Sequence, residues 1–91
     1  MQHDTKKSCL SRLTRIEGQV RGLAKMVEDG RYCIDVVTQV QAAIAALKKV
    51  EGEILSDHIA HCVEHAIRSG DRRAQRAKVA ELVATLARAR G

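Results

Sequence analysis

The chain has 91 residues, with 16 Lys and Arg against 11 Asp and Glu, and a formal net charge of +5 with His neutral. Hydrophobic residues make up 45% of it, yet there is no Trp, no Phe and a single Tyr, so one domain over residues 1–91 is expected, with a thin core of Leu, Ile, Val and Ala that gains from oligomerisation. No apolar run reaches the roughly 18 residues of a membrane span, and Met1, Gln2, His3 and Asp4 lack the apolar stretch of a signal peptide; a soluble, cytoplasmic protein is the expectation.

The absence of Pro and the abundance of Ala, Leu, Val, Lys, Arg, Glu and Gln give an all-α composition, with the glycines read as mostly ending helical stretches. From about residue 5 to 29, Leu13, Ile16, Val20, Leu23 and Val27 recur in steps of three and four, the seam of a helix in a bundle, and Gly30 supplies a stop. A second apolar pattern runs from about 31 to 68 through Ile34, Val37, Val40, Ile44, Leu47, Ile54 and Ile59. It is interrupted only by Gly52, which a long helix tolerates at about 1 kcal/mol relative to Ala. This predicts one long central helix. Ser69, Gly70 and Asp71 read as a turn with Asp71 a helix N-cap, and Val79, Leu82, Val83 and Leu86 carry a third helix over about 72–88 to a basic end at Arg88, Arg90 and Gly91.

The chemistry lies in Cys33, His58 and Cys62. His58 and Cys62 are four residues apart, one helical turn, and can hold one ion between them. Cys33 precedes His58 by 25 residues, about 37 Å along a continuous helix. Either the helix breaks or the third ligand belongs to another chain. Ala42, Ala43, Ala45 and Ala46 surround Ile44 near the midpoint of that separation, and small side chains admit a close helix crossing. Two copies crossing antiparallel there would bring Cys33 of one to His58 and Cys62 of the other, twice per dimer. Plain helix-forming alanines and a coincidental midpoint are the competing account.

Two thiolates and an imidazole favour soft or borderline metals, and three ligands suit Cu(I), whereas structural zinc wants a fourth. His65, two turns beyond His58, is the better fourth candidate; His61 points about 100° away from Cys62, and His3 is read as part of a mobile tail. Both central histidines also fit as surface residues. Cys9, with no ligand partner at helical spacing, is read as a helix-face residue without special chemistry.

The segments RLTRIEGQVRG (12–22), MVEDGRYCIDVV (26–37) and DHIAHCVEHAIRSGD (57–71) resemble the CsoR-type metal-sensing repressors, most of all their copper(I)-responsive branch. The likeness runs from about Ser11 to Leu86. It implies a three-helix protomer in an antiparallel dimer that forms a four-helix bundle, and a dimer of dimers. It also implies Cu(I) held by Cys33 of one protomer and His58 and Cys62 of its neighbour. The metal-free homotetramer would bind operator double-stranded DNA, and copper would release it to derepress copper-resistance genes. Tyr32 and Glu81 correspond to outer residues that couple the metal to the DNA-binding state; the match at Glu81 needs a loop about three residues longer than in some relatives.

No helix-turn-helix signature, zinc finger or aromatic interleaving is present. What remains is charge: Arg12 and Arg15, with Gln19, flank the seam of the first helix, and Lys48 and Lys49 lie on the second, a basic surface able to neutralise phosphates when repeated by symmetry. The resemblance puts Arg12 and Lys49 at DNA-contact positions. The competing functions are a nickel or cobalt sensor recruiting an N-terminal donor such as His3, a persulfide sensor using Cys33 and Cys62, and a cytosolic metal buffer that binds no DNA. His58 argues against a pure dithiol switch. No nucleophile, base and oxyanion set points to an enzyme.

Overall fold

The computed structural model of the chain describes residues 1–89; the basic end expected at Arg90 and Gly91 lies outside them. The described residues form helices and connecting turns, without strands: α1 (His3–Glu28), α2 (Cys33–His58), a π-helical turn (Ile59–Val63), α3 (Glu64–Arg68) and α4 (Arg72–Ala89). They group into two compact units, one over 1–55 and one from Ser56 onward.

The ends of these helices follow from single residues. Gly30, at φ +67°, donates its N–H to the Val27 carbonyl (3.1 Å), while the Arg31 N–H reaches the Met26 carbonyl (3.0 Å). Those two bonds make a Schellman stop, which needs the left-handed backbone that glycine adopts without strain. Gly70, at φ +72°, ends α3 with its N–H on the Ile67 carbonyl (3.3 Å), while the Asp71 N–H turns to the Ser69 hydroxyl (3.2 Å) instead of closing a second backbone bond. Asp71 then caps α4, its Oδ1 accepting the N–H groups of Arg73 (2.9 Å) and Ala74 (3.3 Å). The other described glycines, Gly18, Gly22 and Gly52, lie inside α1 and α2 rather than at their ends.

The long helix expected over 31–68 departs from that reading in two ways. It begins at Cys33, with Arg31 and Tyr32 in the connection. It also changes pitch: Gly52 passes without a break, and the interruption falls at Ile59–Val63, where hydrogen bonds shift to the wider i→i+5 spacing. His58 and Glu64 on either side keep right-handed helical backbone, so the turn widens the helix without ending it. The tail expected at His3 is instead the start of α1.

Within the first unit, Cys9, Ile16 and Val50 form the buried core, with Ala46 packed against them. Cys9 is only 3% exposed, on the face of α1 turned into this core. The expected seam of α1 splits in two. Cys9, Ile16 and Leu23, seven apart, are buried or half-buried, whereas Leu13, Val20 (51%) and Val27 (65%), also seven apart, stay exposed on the single chain. The alanine cluster divides similarly: Ala43 and Ala46 turn inward, while Ala42, Ile44 and Ala45 are exposed. In the second unit α4 packs against α3 and the π-helical turn, with Val63 and Ala66 buried.

Candidate metal centre and basic groove

Cys33 is the first residue of α2 and His58 its last, so the two donors cap opposite ends of one 26-residue α-helix. Cys62 lies inside the π-helical turn that follows. Cys33 and Cys62 are exposed thiols, neither in a disulfide. Among the described residues of one chain, no three His, Cys, Asp or Glu side chains gather where they could hold a metal ion.

His58 is the least exposed of the three, and its ring is engaged. Its Nε2 lies 2.9 Å from Oε1 of Glu81 on α4, off the line of a good hydrogen bond and shielded from solvent. Glu81 also approaches the Lys78 ammonium through Oε2 (3.9 Å). With Nε2 facing a carboxylate, Nδ1 is the nitrogen left to a metal, the arrangement in which an outer carboxylate fixes the orientation of a ligating histidine. The donor chemistry fits a soft ion: two accessible thiols and one oriented imidazole.

The neighbouring candidates behave differently. His61 Nε2 stands 3.9 Å from Oδ1 of Asp57, a buried carboxylate one turn earlier. With His65, Glu64 and Arg68, His61 lines an open depression, in which Glu64 and Arg68 pair with each other. Tyr32 is 67% exposed and its carbonyl accepts the Val36 N–H (3.2 Å), the first bond of α2.

Arg12, Arg15 and Lys49 line one open groove of about 340 Å³, with Ile16, Ala42, Ala45 and Ala46 among its walls. Glu53, which carried no signal in the sequence, stands beside Arg12. Its carboxylate accepts the Ser8 hydroxyl at both oxygens (3.1 Å each) and the Cys9 thiol at Oε2 (3.4 Å), and Oε1 lies 3.3 Å from Arg12 Nε. The thiol hydrogen bond, followed by those from Ser8 and the charge of Arg12, holds the Glu53 carboxyl below its ordinary value of 4.5. The donors lie 44 or more residues away in sequence for Ser8 and Cys9, beyond any local pattern.

Residues 5–88 match the family described as metal-sensitive transcriptional repressor. The chain is 46% identical over 83 residues to the copper-sensing transcriptional repressor RicR of Mycobacterium tuberculosis, a match covering 91% of this chain and 85% of that protein. It is 53% identical over 66 residues to the copper-sensing transcriptional repressor CsoR of Bacillus subtilis, covering 72% of this chain and 65% of that one. Among solved structures it is similar to the copper-sensing repressor CsoR with Cu(I) from Geobacillus thermodenitrificans, with TM-score 0.89 and 41% identity over 100% of this chain and 92% of that one. The nickel-responsive transcriptional regulator InrS is also similar, with TM-score 0.75 and 38% identity over 90% of this chain and 89% of that one. An all-helical body, a soft-donor triad split between the ends of one helix and a match across nearly the whole length converge on one conclusion: the chain belongs to the metal-sensitive transcriptional repressor family.

Proposed function

We propose that this chain is a cytoplasmic, copper(I)-responsive transcriptional repressor, working over residues 1–91 as a single metal-sensing and DNA-binding domain without enzymatic activity. The observation that carries the reading is the placement of Cys33 and His58 at opposite ends of an unbroken α-helix, with the His58 ring already engaged by Glu81. Two such chains, antiparallel, complete two sites, each from Cys33 of one protomer and His58 and Cys62 of the other. The exposed apolar row Leu13, Val20 and Val27 favours burial against further copies, in a dimer of dimers.

Bound Cu(I) would supply a low-coordinate soft centre joining two thiolates and one imidazole across the protomer boundary. The chain's own residues do the rest. Glu81 orients the His58 ring so that Nδ1 faces outward. Because Glu81 rides on α4, a change in the ring's position is carried to that helix. Arg12, Arg15 and Lys49 neutralise operator phosphates in the groove of the metal-free homotetramer. A metal that prefers the conformation with poor DNA affinity weakens DNA binding, and DNA weakens metal binding by the same factor. The regulated genes are then those of copper export or sequestration.

The likeness to a nickel-responsive regulator supports nickel as the second reading. Cu(I), Ni(II), Zn(II) and a persulfide donor are titrated in turn into the protein bound to fluorescent DNA from its own promoter. Copper sensing predicts loss of anisotropy complete at about one Cu(I) per chain, as expected for one shared site per protomer. An intact complex at that ratio, dissolved instead by another effector, would refute it.

A further inference from the structure

We propose that Glu53 is a positioning residue of the DNA-binding groove: clamped by Ser8 and Cys9, its carboxylate fixes Arg12 so that the guanidinium presents its outer nitrogens to a phosphate. The proposal rests on the reading of that groove as the DNA face.

Two hydrogen-bond donors, Ser8 and Cys9, and the Arg12 guanidinium one turn later on α1 converge on this one carboxylate from α2, Arg12 as an ion pair off the line of a good hydrogen bond. Ser8 reaches both oxygens, and the buried Cys9 thiol donates to Oε2, so the carboxylate has little rotational freedom left. Arg12 meets Oε1 through Nε, an atom shielded from solvent, while its side chain as a whole is 41% exposed. The guanidinium thus meets the carboxylate at its buried Nε while the side chain stays partly open to solvent. Arg15 and Lys49 share the groove.

An arginine free in water loses much rotamer freedom when it binds a phosphate; one already held by Glu53 has lost part of it on folding. A carboxylate beside a phosphate site also has an opposite, purely electrostatic effect, since its charge repels DNA. The two effects differ in sign, which makes them separable. If Glu53 acts only as a nearby charge, Glu53→Gln tightens binding to any DNA. If it positions Arg12, Glu53→Gln weakens operator binding.

The test is a double-mutant cycle on the full-length metal-free protein, with operator and scrambled duplexes over a range of salt concentrations. Glu53→Gln is expected to weaken operator binding roughly three- to tenfold and to leave Cu(I) stoichiometry unchanged. In an Arg12→Ala background it should no longer weaken binding, leaving at most the small gain from the lost negative charge, and Arg12→Ala itself should lower the salt slope by about one. Tighter or unchanged operator binding by Glu53→Gln, or losses that simply add to those of Arg12→Ala, would overturn the positioning role while leaving the groove as the DNA face. If Arg12→Ala leaves operator affinity and salt slope untouched, the DNA reading of the groove falls and the role of Glu53 with it. Should Glu53→Gln fail to fold by circular dichroism, Ser8→Ala carries the same cycle. A loss that vanishes with Arg12→Ala supports the proposal, and no loss, or an additive one, overturns it.

Discussion

A metal site shared between protomers can be divided and reassembled. Cys33→Ala removes one ligand from both sites of a dimer, and the His58→Ala/Cys62→Ala double variant removes the other two. The 26 residues of α2 make it about 39 Å long, against metal–thiolate bonds of about 2.3 Å, so neither homodimer can rebuild a three-ligand site within one chain. A heterodimer recovers one site: Cys33 from the double variant meets His58 and Cys62 from the single variant. Equal mixing with free exchange puts about half of the dimers in that form, and each carries one of two possible sites. Tight copper binding should therefore rise from near zero in each variant to about 0.25 per chain in the mixture, against about 1 in the unmodified protein. Competition with a Cu(I) chelator reads this directly, after unfolding and refolding the variants together. Failure to recover copper binding when exchange is verified by mass-tagged subunits would refute the shared site, as would full binding by either variant alone.

Three further outcomes follow from the local geometry. Asp71→Ala should remove the two N-terminal hydrogen bonds of α4 and destabilise the protein by about 1 kcal/mol, visible as a lower urea midpoint at constant m-value. Glu81→Gln should leave copper stoichiometry intact but weaken the coupling between metal and DNA, raising the copper concentration that releases the operator by roughly 10- to 100-fold. The Glu53 carboxyl is held below 4.5 in the folded chain by Cys9, Ser8 and Arg12, so its contribution to stability is present above that pH and is lost as pH falls through the folded value. Urea midpoints measured between pH 6 and 3 should fall on acidification, and the fall below pH 4.5 should be smaller in Glu53→Gln.

Much of this architecture was legible because it is written in local signals. Gly30 and Gly70 mark their helix ends through backbone conformation alone, and Asp71 sits where a cap must sit. Ligand chemistry and spacing singled out Cys33, His58 and Cys62 and raised the question of a second chain, and the resemblance added Tyr32 and Glu81. The seam of α1 was harder. Residues 9, 16 and 23 and residues 13, 20 and 27 are two neighbouring stripes, and a step of three or four reads equally well within one stripe or between them. Only packing distinguishes the stripe facing Val50 from the stripe left exposed. The burial of Cys9 was hidden for the same reason, and Glu53 because its partners are remote in sequence. The π-helical turn has no sequence mark at all: Ile59–Val63 contains neither Gly nor Pro.

On the proposed assembly, the exposed row on α1 also makes dilution act as a denaturant. A protomer that leaves Leu13, Val20 and Val27 in water gains its remaining stability from mass action, so its melting temperature should climb with protein concentration. Calorimetry at micromolar chain and operator binding at nanomolar chain then sample different populations of one protein. The number of copies in a cell would thereby set how much of the proposed tetramer is assembled, before any metal arrives.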